Sequence, residues 1–124
     1  MSDFTVKQVD DMEAAFGGSW KKARAELGVT SFGMQVLDFP PNADRHPTHD
    51  HVADGQEEVF VVMRGAGEIV LDGEHHPLTE GTMVRVGPAV KRKLLSGPEG
   101  MRLLGLAGTP GQVYEIKEIS ELDT

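Results

Sequence analysis

Apolar and polar positions alternate in short segments along most of the chain after Thr30, and this pattern predicts a β domain. Glycine- and proline-containing stretches divide the segments at roughly the spacing of an all-β sandwich or barrel: 40–42, 64–67, 72–73, 80–81, 87–88, 97–98 and 110–111. The Asp72-Gly73 pair lies between two apolar segments and predicts a two-residue hairpin. Because no repeat or linker interrupts the pattern, we expect one domain over residues 1–124, with a barrel core at about 30–115.

In the first 29 residues the apolar and capping residues have the spacing of helices instead. Asp10 and Glu13 are placed as in a capping box, which predicts a short helix that ends at Gly17–Gly18. Ser19 can cap a second helix that ends at Gly28, with one apolar face made of Trp20, Ala23 and Leu27. We therefore expect one or two short helices in an N-terminal segment that accompanies the barrel.

Composition excludes several classes of protein. Twelve Lys and Arg against twenty Asp and Glu give a net charge of −8, which repels phosphate backbones and argues against nucleic acid as a partner. There is no cysteine, so a metal would be held by nitrogen and oxygen ligands. The longest apolar run, Val59–Met63, is far shorter than the ~20 residues of a membrane span. Since the first residues lack the pattern of a signal peptide, we expect a cytoplasmic protein.

Three side chains of the kinds that bind metals occur close together in the sequence. His49 and His51 are two positions apart, so in an extended backbone they point to the same side, and Glu58 begins the next apolar strand. This arrangement predicts a site for a divalent transition metal, and the alternative is two exposed histidines in a polar loop. His46 is either a spare ligand or a turn residue beside Pro47.

The run from His49 to Gly65, followed by residues 81–88, resembles the two sequence motifs of the cupin superfamily. His49-x-His51 is present, and six residues separate Glu58 from Gly65 as in the first motif, although the step from His51 to Glu58 is about two residues longer than usual. Asn42 stands near the first motif glycine, and asparagine tolerates left-handed backbone conformations. The resemblance implies a single-domain double-stranded β-helix, the jelly-roll barrel that wraps a pocket.

In the second motif Arg92 stands where the resemblance implies a histidine as the fourth ligand, and Ala89 replaces a glycine. Strand alternation places Lys91 and Lys93 outside, so Arg92 faces inward. Arginine has no lone pair and cannot ligate a metal. Either Arg92 forms a forked pair with Glu58 in a metal-free pocket, or it grips the carboxylate or phosphate of a ligand bound near a metal.

The same alternation predicts which residues meet a ligand. If Glu58 faces the pocket, Phe60 does too, and Gln56 and Asp54 line the entrance when the long loop folds inward. We expect a small-molecule ligand to contact Arg92, Glu58, Phe60 and Gln56. Exposed positions are expected for Glu57 and for the hairpin histidines, His75 and His76.

The outward positions of this strand are apolar as well, namely Val59, Val61 and Met63. Such a face has to be covered, either by the N-terminal segment or by a second subunit. Because the resemblance implies that similar proteins are commonly dimers, we expect a homodimer.

Three functions are compatible with these residues. The first is a pocket that binds a small anionic organic ligand, with or without a metal. The second is a metal-dependent enzyme of the dioxygenase or isomerase type, in which His49, His51 and Glu58 hold Fe, Mn, Ni or Zn and Arg92 orients the substrate. The third is a structural or interaction module that acts through its dimer surface. The sequence identifies no substrate.

Overall fold

The computed structural model describes residues 2–116, in which one seven-stranded antiparallel sheet curls into a jelly-roll barrel. The strand order is β1-β2-β3-β7-β4-β5, and β6 pairs with β4. The all-β fold class predicted from the sequence is confirmed. The elements are β1 (Ala14–Ala15), β2 (Trp20–Lys21), α1 (Ala23–Leu27), β3 (Gly33–Phe39), β4 (Glu57–Leu71), β5 (Glu74–Leu78), β6 (Met83–Val86) and β7 (Arg92–Gly108).

The two long strands, β4 and β7, pair with each other along both of their halves, and the register shifts near the middle of β4. A side chain at Gly67 would collide with the carbonyl oxygen of Leu95, and one at Gly65 with that of Gly100. Glycine therefore lets the two backbones cross closely while each strand bends at a bulge. The predicted strand boundaries at 64–67 and 97–98 are wrong for this reason, because the chain bends there without reversing.

The predicted hairpin is present between β4 and β5. Leu71 pairs with Glu74, so the loop has two residues, and both have positive φ, 49° at Asp72 and 84° at Gly73. These angles match the type I′ turn that the right-handed twist of the strands favours.

The helical prediction for the N-terminal segment is wrong in its first half. Val9–Asp11 and Phe16–Gly18 form only 3₁₀ turns, and the Asp10 carboxylate accepts a hydrogen bond from Arg102 at 2.6 Å. A predicted helix this short is marginal on its own. Tertiary contacts therefore decide the backbone conformation of this segment.

The second predicted helix forms only in its last part, α1. Trp20 belongs to β2, where it pairs with Leu37 of β3, and the helix begins at Ala23. Gly28 ends the helix as predicted, with a φ of 80° and hydrogen bonds to the last carbonyls.

Strand alternation sorts the core into two parts. On β4, Glu58, Phe60 and Val62 are buried inside the barrel, as the parity predicted. The interior cluster also contains Leu37, Ile69, Leu78, Val86, Leu94, Met101 and Leu103.

The outer face of the sheet is partly covered by the N-terminal segment. Met12 and Ala23 pack against Val36 of β3, and Leu104 of β7 joins this cluster. Met63 and Met83 stay exposed at 43% and 71%. The homodimer stays a prediction. No helix within residues 2–116 is long and apolar enough to cross a membrane.

Candidate metal centre

The barrel encloses a cavity of about 1260 Å³ that opens to solvent. Its wall carries aromatic residues and a set of polar side chains that includes His46, His49, His51, Gln56 and Glu58. Ligand sites are usually concave and mainly apolar, with a few convergent polar groups, so this cavity is the candidate site.

The three residues with metal-ligating side chains come together on this wall. His49, His51 and Glu58 each offer one nitrogen or oxygen atom, and the three atoms lie within 4.8 Å of one another. Glu58 is buried and both histidines are half-buried. The geometry therefore brings together the triad that the sequence predicts.

The histidines reach Glu58 because the loop between β3 and β4 is tied to the start of β7. The backbones of His49 and Arg92 exchange two hydrogen bonds, of 3.0 and 2.8 Å, and the His51 amide donates to the Pro88 carbonyl at 2.8 Å. This bridge places the loop alongside the first residues of β4.

Each of the two histidines has its Nδ1 fixed by an acceptor. His49 Nδ1 lies 3.0 Å from the Pro47 carbonyl oxygen, and His51 Nδ1 lies 3.1 Å from an Asp54 carboxylate oxygen. A carbonyl or carboxylate oxygen can only accept, so each Nδ1 carries the proton and Nε2 is left as the ligating atom. Hydrogen bonds of this kind orient the histidines of metal sites.

Arg92 is fully buried and lies against Glu58. Its Nη1 donates to Glu58 Oε1 at 2.6 Å, and its Nη2 donates to the carbonyl oxygens of Gly87 and Val90 at 2.7 and 2.8 Å. The inward position predicted from parity is observed. The predicted forked pair is wrong, because only one nitrogen contacts the carboxylate and the others are held by backbone.

Arg92 lies behind Glu58 and not on the cavity wall, whereas Glu58, Gln56 and Phe60 are on the wall. Gln56 is buried and donates from Nε2 to Asp54 at 3.0 Å. From this position the Arg92 guanidinium can influence a cavity ligand only through its contact with Glu58. The expectation that Arg92 itself grips the ligand does not match its position.

Glu58 and His51 influence each other's protonation. Burial, the largest influence, raises the pKa of Glu58, but the hydrogen bond with His51 and the charges of His51 and Arg92 together leave that pKa below its ordinary value. The contact with Glu58 raises the pKa of His51, with Asp54 adding to the rise and burial opposing it. Because a metal ion and a proton would use the same nitrogen of His51, the raised pKa of His51 makes the two compete.

His46, whose role the sequence left open, lies on the cavity wall next to His49, with 5.3 Å between the ring centroids. Its Nδ1 accepts a hydrogen bond of 3.1 Å from the Leu94 amide. Burial, helped by the charge of His49, lowers the pKa of His46 to about 4. His46 is therefore neutral near pH 7.

The other singled-out residues lie outside the site. Glu57 points outward and accepts a hydrogen bond from Arg85 at 2.8 Å. His75 and His76 are solvent-accessible and lie near Glu68 and Glu74. Sequence reasoning missed the anchoring roles of Pro47 and Asp54, although both are within four residues of the histidines that they hold.

Comparison with known proteins agrees with this architecture. The family model described as "Cupin domain" matches residues 35–104. The structure of a cupin protein from Bacteroides fragilis is similar with a TM-score of 0.73 and 20% identity, and the match covers 94% of this chain and 93% of that protein. Among the curated proteins no relative matches.

Two similar structures come from enzymes. A sugar phosphate isomerase of a cupin superfamily from Silicibacter pomeroyi is 18% identical with a TM-score of 0.67, over 86% of this chain and 77% of its own. A salicylate 1,2-dioxygenase from Pseudaminobacter salicylatoxidans is 21% identical with a TM-score of 0.55, over 62% of this chain and 21% of its own. At these identities the likeness shows a shared fold, and one fold serves different reactions.

Proposed function

We propose, since this chain belongs to the cupin family, that its barrel binds a small oxygen-bearing organic ligand beside a divalent transition metal held by His49, His51 and Glu58. The observation that carries this proposal is the convergence of three ligating atoms within 4.8 Å on a cavity wall. Imidazole and carboxylate together suit Fe, Mn, Ni and Zn, and two histidines with one carboxylate leave coordination positions open.

The residues present fit such a metal. The Nδ1 atoms of His49 and His51 are engaged by acceptors, which leaves both Nε2 atoms as the ligating atoms. The contacts of Glu58 with Arg92 and His51 both involve Oε1. Among the described residues Oε2 has no hydrogen-bond partner, so this oxygen is free to ligate while Arg92 holds the other.

A bound metal would supply Lewis-acid polarisation of a ligand oxygen. Arg92 compensates the charge of Glu58 and fixes its orientation. Gln56 and Phe60 shape the wall beside the triad, and the buried interior keeps water away from one side of the ligand. This arrangement supports binding and orientation of a small molecule in the cavity.

The anionic group predicted for the ligand would be bound by an arginine other than Arg92. Arg45 lies on the cavity wall and has no ion-pair or hydrogen-bond partner among residues 2–116. Its guanidinium is suited to a carboxylate or phosphate group. We therefore assign the anion contact to Arg45 in place of Arg92.

Metal analysis of the full chain without a histidine tag tests the proposal. After reconstitution with Fe(II), Mn, Ni or Zn we expect stoichiometric metal in the unmodified protein and in His76→Ala, which replaces a histidine outside the cavity. His49→Ala should lose the metal. Failure of the unmodified protein to retain any of the four metals would refute metal binding.

A metal-free binding pocket is the second candidate, and the pair between Arg92 and Glu58 favours it. At 2.6 Å this guanidinium already neutralises the carboxylate, and His51 lies 3.4 Å from the same oxygen. A cation this close to Glu58 lowers the affinity of the triad for a metal through charge repulsion. Retention of a small organic molecule in protein that binds none of the four metals would support this second candidate.

A further inference from the structure

His46 lies beside the triad, and its hydrogen bond fixes where its proton is. The Leu94 amide donates to Nδ1 at 3.1 Å. A backbone amide can only donate, so Nδ1 must offer its lone pair. The neutral ring therefore carries its proton on Nε2, the opposite of His49, whose Nδ1 donates to the Pro47 carbonyl.

Pro47 explains why a backbone amide of β7 is available to a side chain. The bridge between His49 and Arg92, continued by two residues in the same register, places Pro47 opposite Leu94. Proline has no N–H, and the Pro47 carbonyl lies within hydrogen-bond distance of the His49 ring. In this register the Leu94 amide would donate to the Pro47 carbonyl, but that carbonyl faces the His49 ring, and the His46 ring accepts the hydrogen bond from Leu94 in its place.

The ring is held from several sides. Lys93 Nζ donates to the carbonyl oxygens of Asp44 and His46, both at 2.7 Å, which fixes the backbone of the loop. Phe39 contacts the ring edge-on with 6.1 Å between centroids, and His49 packs on it at 5.3 Å. His46 cannot turn over without losing the Leu94 bond.

The other nitrogen of His46 is available to a ligand. Among the residues that the structure describes, no protein atom accepts a hydrogen bond from Nε2, and His46 lies on the cavity wall. A nitrogen that carries a proton has no lone pair for a metal. His46 therefore differs from its neighbours in function although it lies next to them.

We propose that His46 is a fixed neutral hydrogen-bond donor that binds an oxygen of the cavity ligand through Nε2–H, and that it is not a metal ligand. This inference rests on the proposed ligand-binding function and narrows the ligand to molecules with an accepting oxygen, such as a carboxylate or keto group, next to His49. A pre-oriented donor of this kind selects for such an oxygen because it needs no reorganisation.

Nitrogen-15 NMR of the histidines in the full chain tests the assignment of the proton. We expect His46 to show the Nε2–H form alone, and the hairpin histidines, His75 and His76, serve as references outside the cavity. On titration with Zn²⁺ the resonances of His49 and His51 should change and His46 should keep its Nε2 proton. An Nδ1–H form of His46, or loss of its Nε2 proton with Zn²⁺, would overturn the inference.

The same titration separates this inference from the proposed metal site. If Zn²⁺ leaves His49 and His51 unchanged while His46 keeps the Nε2–H form, the metal site fails and the inference about His46 stands.

Formate, the smallest carboxylate, tests donation to a ligand. Formate should shift the Nε2–H resonance of His46 and leave those of His75 and His76 in place. His46→Phe should bind formate about tenfold more weakly, measured on backbone amides of the cavity wall, because one hydrogen bond is lost. His46→Gln keeps an N–H donor of similar reach and should retain more of the affinity, and His76→Gln is the matched control. An unshifted His46 resonance, or equal formate binding by His46→Phe and the unmodified protein, would overturn the proposal.

Discussion

Strand β7 carries two buried arginines, Arg92 at its start and Arg102 ten residues later, and they are used differently. Arg92 donates to the carboxylate of Glu58 and to two backbone carbonyls inside the barrel. Arg102 donates through one nitrogen, Nη2, to Asp38 and to Asp10 on the outside of the sheet.

The difference lies in how completely the nitrogens of each guanidinium are hydrogen-bonded. Arg92 has no exposed surface, and its nitrogens Nε, Nη1 and Nη2 each have a hydrogen-bond partner. Arg102 has a buried Nε without a hydrogen-bond partner among the described residues, and its partner Asp10 is 74% exposed in its side chain. Arg92 is therefore part of the candidate site, and Arg102 is a clamp that holds the N-terminal segment to β3 and β7.

The largest effect on stability should come from removing the Arg92 guanidinium. Arg92→Met leaves the buried Glu58 without its arginine partner and leaves two carbonyls without donors, so we expect a loss of about 3–5 kcal/mol in the free energy of unfolding. Arg102→Met is the matched control and should cost clearly less. Urea unfolding followed by the single tryptophan, Trp20, measures both, and equal losses would contradict the comparison.

Acid should weaken the Arg92 end of β7 first, because His46 is bonded there to Leu94. The folded protein keeps His46 neutral down to a pKa of about 4, whereas the unfolded chain protonates it near 6.5. The unfolded state binds more protons between these values, so stability falls as the pH falls through that window, by about 3 kcal/mol.

Urea unfolding of chelator-treated protein at pH 7 and pH 4 measures this loss. His46→Gln should lose less stability than the unmodified protein over the same interval. Parallel losses in the two proteins would show that His46 does not stay neutral in the fold.

A double-mutant cycle measures the coupling in each pair. The double variant of Arg92→Met and Glu58→Leu should recover part of the loss seen with Arg92→Met, with a coupling of about 2 kcal/mol, because no unpaired buried charge is left. The corresponding cycle of Arg102→Met with Asp38→Leu should give about 1 kcal/mol or less, since this pair is closer to solvent. A larger coupling at Arg102 would reverse the assignment of the two roles.

The smallest effect should be that of the outermost contact. The hydrogen bond and charge of Arg102 lower the pKa of Asp10, but Asp10 is exposed and salt screens such a pair. Asp10→Asn should cause a small loss of stability at low ionic strength that disappears in high salt. Glu58→Gln, measured in the same two buffers, should cause a loss that salt does not remove.

The sequence predicted the parts of the fold that depend on local alternation. Parity along β4 placed Glu58, Phe60 and Val62 inside, and the Asp72-Gly73 pair predicted the hairpin turn, because both signals come from backbone geometry within a few residues. The N-terminal helices were predicted poorly, since Trp20 pairs with Leu37 and Asp10 binds Arg102. Such partners are distant in the sequence, and they outweigh helical spacing in short segments.

For the candidate site, the residue types and spacing of His49, His51 and Glu58 determined which groups are available, because imidazoles two positions apart on an extended backbone share a side. Only the tertiary structure decided how they are used. The bridge to β7 brings the loop to Glu58, the carbonyls of Gly87 and Val90 occupy Arg92, and the Leu94 amide sets the proton of His46. The position of the His46 proton and the neutralisation of the Glu58 carboxylate depend on partners that only the folded chain brings within hydrogen-bond distance.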